Sequence, residues 1–281
     1  MIKWLIAESF FVKMTKIKYI SILVTFLLFS CEKVIDVNLN EANPVIVIEG
    51  NLTKTPVSVE VKISRTGSYF GSAPVTKISN ASVLLEDDLG ARFILDELEK
   101  GLYKSRNVHP QIDKNYKLSV EVEGKIYEAF SKLNPPVTID SLTSAFSEGF
   151  AFLDAGYYVT IYFEDPAEVK NYYQLKIYKN GKLKNDFDNL IIFDDNLFDG
   201  QKLEIQPRNI LFIPGDTATI ELNSLDKNAY EYFKTFQEVI STNPGSAAPA
   251  NPNSNFTNGA LGYFSAYSTG VKSIEIKDIA E

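Results

Sequence analysis

One cysteine, one histidine, one tryptophan and two methionines are all that the 281 residues contain of those types. Each scarcity removes a class of chemistry. A lone cysteine cannot close a disulfide within the chain, so stability has to come from buried apolar surface. His109, set before Pro110 in a turn, cannot assemble a His/Cys zinc cluster or serve a Ser/His/Asp triad. No G-x-S-x-G, G-x-x-x-x-G-K-[ST] or G-x-G-x-x-G pattern occurs, so neither a nucleophile elbow nor a nucleotide loop is marked, and no cofactor is implied. Positive charge is also short: 28 Lys and Arg face 36 Asp and Glu, for a net charge of −8. An acidic chain of this kind argues against nucleic acid as a partner.

Long apolar runs are missing too, and the one short run is informative. Tyr19 to Phe29 is too short for a membrane span, which needs about 20 apolar residues. It follows Lys16 and Lys18 and ends at Ser30, directly before the only cysteine, Cys31. Basic, apolar, small and then cysteine is the order of a secretory signal, and Leu28-Phe29-Ser30-Cys31 resembles the lipobox of bacterial lipoproteins. That resemblance implies residues 1–30 as signal peptide, with Met14 as the start, and lipidation at Cys31. Removing the lysines ahead of Cys31 leaves a mature chain more acidic still.

Beyond the signal, a polar tether spans 31–43, and the chain then turns β-like. Val57, Val59, Val61 and Ile63 alternate with polar neighbours, as do Tyr116, Leu118, Val120 and Val122. About seven short strands with no helical period predict an immunoglobulin-like or transthyretin-like sandwich over 44–134. Pro135-Pro136 cannot supply ladder donors and marks a boundary. A second β domain over 137–281 follows, giving a mainly β protein of two sandwich-like domains. Its one helix is expected at about 224–241, where apolar residues fall at 225, 229, 232, 233, 236, 239 and 240, with Asn223 or Ser224 as cap. The Asn- and Pro-rich stretch after Asn243-Pro244-Gly245 reads as a long exposed loop.

The segments PVIVIEG, SRTGSYF, PPVTIDSL, EDPAEVKNYY, SLDKNAYEYF and PANPNSNFTNGALGYFSAYS resemble, in order, those of the DUF4249 lipoproteins of Bacteroidota, a family of unknown function. The resemblance covers essentially the whole mature chain. It implies an outer-membrane lipoprotein, anchored on the periplasmic or cell-surface face and associated with a TonB-dependent transporter.

Two sets of residues remain as site candidates. Asp186, Asp188, Asp194, Asp195 and Asp199 crowd one stretch, and Asp194, Asp195 and Asp199 are the calcium candidates, although their order departs from EF-hand spacing. Tyr69 and Phe70 in one loop and Phe256 in another are the partner-binding candidates, since exposed aromatics dominate interface energetics. The reading is a lipid-anchored binding or accessory protein, without catalytic residues, serving a transporter or a surface glycan. A carbohydrate-active enzyme and a structural or adhesive surface module are the alternatives. The first is kept because carboxylate pairing is spatial and leaves no motif.

Overall fold

Valine and isoleucine at every second position put β1 (Ile46–Lys54) and β2 (Val57–Arg65) on one buried face, with Ile48, Leu52, Val59, Val61 and Ile63 inward. The computed structural model describes residues 44–67, 75–105, 107–150, 154–185, 190–241 and 251–278. After β2 come β3 (Thr76–Lys77), β4 (Ser82–Asp87), β5 (Arg92–Glu99), β6 (Leu102–Ser105), β7 (Asn115–Val122) and β8 (Lys125–Lys132). In β6 only Tyr103 is buried, a span too short to show a period. β5 pairs with both β6 and β4, so the sheet folds over and encloses a first core of Ile48, Val61, Leu85, Tyr116 and Leu118.

The second half supplies β9 (Ile139–Ser147), β10 (Gly156–Glu164), β11 (Tyr172–Lys179), β12 (Lys182–Leu183), β13 (Ile191–Asp194), β14 (Lys202–Ile205), β15 (Thr217–Leu225), helix α1 (Lys227–Ile240) and β16 (Leu261–Glu275). The strands β14, β10 and β9 form a separate sheet. Together with β11 and β15 they enclose a second core around Ile161, Phe163, Tyr173, Phe212 and Ile220. The protein is therefore mainly β, with two sheets and one helix among the described residues.

β16 is the structural surprise. The sequence suggests two strands separated at Ser268-Thr269-Gly270, yet fifteen residues run on without a break. One half pairs in parallel with β1, from Val47↔Leu261 to Thr53↔Tyr267, and the other pairs antiparallel with β15, from Ser224↔Ser268 to Thr217↔Glu275. Phe264 and Ala266 enter the first core, whereas Ile276 enters the second just beyond the strand. These even-numbered residues share a face of the strand, so both cores sit on one side of the long sheet. On the other side α1 packs over Tyr263 and Tyr267, its Ala229 and Tyr230 buried with Leu225.

Pro135-Pro136 crosses between the two cores. Ser268 Oγ donates to the Asn134 carbonyl at 2.6 Å, and the Val137 amide donates to Ser224 Oγ at 3.3 Å. A Cβ at Gly270 would overlap the Val137 carbonyl oxygen, which is why glycine stands at the crossing. The boundary expected there falls between β8 and β9, yet β16 lends Phe264 and Ala266 to the first core, and residues 42–281 form one compact unit. The helix begins later than expected because Asp226 is its N-cap, Oδ1 accepting the Ala229 amide at 2.8 Å. Asn223 is instead spent in a buried row, where its amide donates to Gln174 Oε1 at 3.3 Å and its Oδ1 accepts from Thr269 at 2.7 Å.

Phe256 is buried in the first core, which corrects its assignment as an exposed docking tip. Its loop covers the free edge of β8: Thr257 N donates to the Glu128 carbonyl at 2.8 Å, and Glu128 N donates to Thr257 Oγ1 at 2.9 Å. An uncovered edge strand invites foreign pairing, and this loop removes most of that liability. Among the described residues, no helix is long and apolar enough to cross a membrane.

Candidate functional site

At the end of the molecule where β8 stops and α1 starts, four chain segments meet. Asp226, only 7% exposed, is the junction: besides capping α1, its Oδ2 accepts the Lys132 amide at the close of β8 at 3.1 Å. Asn134 Nδ2 donates to the Leu225 carbonyl at 2.7 Å and fixes the following segment. Beside them the surface opens into a cleft of about 400 Å³ bordered by Asn115, Phe130, Lys132, Val169, Tyr172 and Asn228.

Two further clefts adjoin it. One of about 360 Å³ shares Val169 and Lys170 and extends to Asp195, Asn196 and Asp199. The other, about 190 Å³, shares Asn115 and Phe130 and extends to Asp87, Asp88 and Lys117. The shared residues make one elongated groove of three compartments. Phe130 and Val169, at the two junctions, are 53% and 55% exposed. Outward-facing apolar side chains in a concave surface are where ligands find contact area.

Burial pushes the Asp226 carboxyl above its ordinary range, and its two backbone N–H donors only partly oppose that. A raised folded value means the native state binds the proton more readily than the unfolded chain. The contribution of this group to stability is then full below the unfolded value of about 3.8 and is lost as pH rises through the folded value. Urea unfolding of the wild type and Asp226→Asn between pH 3.5 and 7 should show a stability gap that shrinks as pH rises. A gap that widens with pH would reverse the assignment.

The acidic stretch is regrouped by folding. Asp165, Asp195 and Asp199 bring carboxylate oxygens within 4.8 Å of one another. Asp194 turns aside, accepting from Asn196 N at 3.1 Å and from the Tyr230 hydroxyl at 3.3 Å. Asp165, buried, accepts from the Tyr173 hydroxyl and from Gly200 N at 3.0 Å. Asp195, also buried, accepts from Asn171 N at 2.6 Å and from the Lys170 ammonium, which further donates to Asn196 Oδ1 at 2.7 Å. Burial lowers the Lys170 pKa, but Asp195 and Asp194 outweigh it and leave the ammonium held above its usual value. Lys170 thus supplies positive charge to Asp195, one of the three carboxylates, and Asp199 accepts the Glu168 amide at 2.9 Å.

Asp195 and Asp199 therefore line the groove, Asp194 bonds Asn196 and Tyr230, and Asp165 joins from thirty residues upstream of Asp195. Asp165 follows Glu164 at a strand end, which gave no metal-ligand spacing to detect. Cys31, Tyr69, Phe70, Asp186 and Asp188 lie outside the described residues. Phe130 and Asn228 went unread because each stands alone in its own segment. A family model described as a domain of unknown function (DUF4249) matches residues 32–273. No curated protein matches the chain.

Proposed function

As the chain belongs to the DUF4249 family, whose description assigns no activity, we propose from the molecule itself that it is a lipid-anchored binding or accessory component of the bacterial outer membrane. The observation that supports this reading is the position of the groove relative to the point where the described chain enters β1. Val45 and Thr66 bond each other where the chain enters β1, Thr66 N to the Val45 carbonyl at 2.9 Å. Arg65, next to them, pairs with Glu123 at 2.6 Å in the turn between β7 and β8. The groove lies at the other end of those two strands, at Asn115 and Lys132. Eight residues at about 3.4 Å each put the two ends roughly 27 Å apart.

The segment that leads from Cys31 joins the body at that entry, at the far end of these strands from the groove, which leaves the groove open to ligand or to a TonB-dependent transporter. Several acyl chains on one cysteine hold a protein firmly, whereas one holds it weakly and reversibly. Growth with a fatty-acid analogue should label the native protein and leave Cys31→Ala unlabelled and released from the membrane fraction. Equal labelling of the two would end the anchored reading.

A further inference from the structure

We infer that the three-compartment groove binds a neutral oligosaccharide, with the Phe130 ring as the platform for one sugar residue. The inference rests on the groove being the ligand site of the proposed binding protein, and it names the class of ligand. Three connected compartments favour an extended ligand over a compact one. Phe130 lies where two compartments join, flanked by Asn115 on one side and by Asn228 and Asp226 beyond. A pyranose presents an apolar C–H face that packs on an aromatic ring, and a rim of hydroxyls that bond amides and carboxylates. An exposed ring bordered by such groups meets both needs.

Charge narrows the class. The lining carries seven carboxylates, Glu86, Asp87, Asp88, Glu168, Asp195, Asp199 and Asp226, against four lysines. Three of those lysines are already engaged, Lys170 by Asp195, Lys132 by Asp113 at 3.0 Å and Lys117 by Glu128 at 3.6 Å. Glu86 and Asp88 are in turn paired with Arg92 at 3.0 Å and Lys114 at 3.5 Å, so few cations face a phosphorylated or uronate-bearing polymer, while Asp87, Glu168 and Asp199 keep carboxylate oxygens that can accept from sugar hydroxyls.

The test uses the full-length protein, solubilised in a detergent without a sugar head group, on an array of neutral and acidic oligosaccharides and extended peptides. Retention of neutral oligosaccharides is expected, with titration calorimetry on a retained one. Phe130→Ala should lower its affinity by at least about tenfold, equivalent to about 1.4 kcal/mol, without shifting the melting temperature. Phe146→Ala serves as control, because Phe146 is 52% exposed on the separate sheet, away from the groove. It should leave affinity unchanged. Retention only of acidic sugars or of peptides, no retention at all, or equal effects of the two substitutions would overturn the inference. Fatty-acid labelling of Cys31 is read separately, so loss of the sugar result leaves the anchored reading to stand or fall by itself.

Discussion

A fragment ending at Pro136 is expected to remain without a cooperative fold, although it contains eight of the strands and most of the first core. It lacks β16, so β1 loses all seven of its registered partners from Leu261 to Tyr267 and becomes a bare edge. It also lacks Phe256, Ala260, Phe264 and Ala266, which the C-terminal part of the chain contributes to that core. Phe264 is wholly buried against Gly50, where even a methyl group would crowd it. Each lost phenylalanine costs about 3–5 kcal/mol, so two alone approach the 5–15 kcal/mol that holds a typical domain together. Near-ultraviolet circular dichroism and urea titration of residues 42–136 should show no fixed aromatic environment and no sigmoidal transition. A sharp transition comparable to that of the whole chain would mean the first core is self-sufficient.

Phe256→Ala should cost about 3–5 kcal/mol, as for truncation of other buried aromatic residues. The side chain is 7% exposed and sits between two anchored neighbours. Asn255 bonds Phe264 in both directions, Oδ1 accepting its amide at 2.9 Å and Nδ2 donating to its carbonyl at 2.8 Å. Asn258 Nδ2 donates to the Ile126 carbonyl at 2.8 Å. Removing the ring leaves a cavity beneath a loop that these bonds prevent from collapsing inward. The midpoint of urea unfolding should fall accordingly; an unchanged midpoint would return Phe256 to the surface role its polar sequence context suggested.

Strand content was legible because one wet face leaves a period of two, which fixes β2 and β7 from Val57 and Tyr116 onward. The helix was legible from its apolar face, but its start was not: Asn223, Ser224 and Asp226 lie within four positions, and the apolar period reaching back to Leu225 pointed to Asn223 or Ser224 as the cap. Register decided among them, since Asn223 faces Gln174 and Thr269 while Asp226 stands clear at the end of β15. The continuity of β16 was hidden for a related reason. Ser268, Thr269 and Gly270 are chosen for hydrogen bonding and for the Val137 crossing, so they carry no apolar signature. Parallel pairing of β1 with a strand more than two hundred residues later leaves no local mark. The groove is the least legible feature, because its lining is drawn two or three residues at a time from β4, β7, β8, the segment before β11, the turn after β13 and the start of α1.

Amide hydrogen exchange of the full-length protein, alone and with a saturating neutral oligosaccharide, tests most directly whether the end opposite the entry to β1 is the working surface. Slower exchange is expected at Asn115–Lys117, Phe130–Asn134, Val169–Tyr172 and Lys227–Asn228, with Val45–Ile48 and Glu123–Ile126 unchanged. Protection at the entry to β1 with the groove segments unaffected, or no protection anywhere, would contradict it.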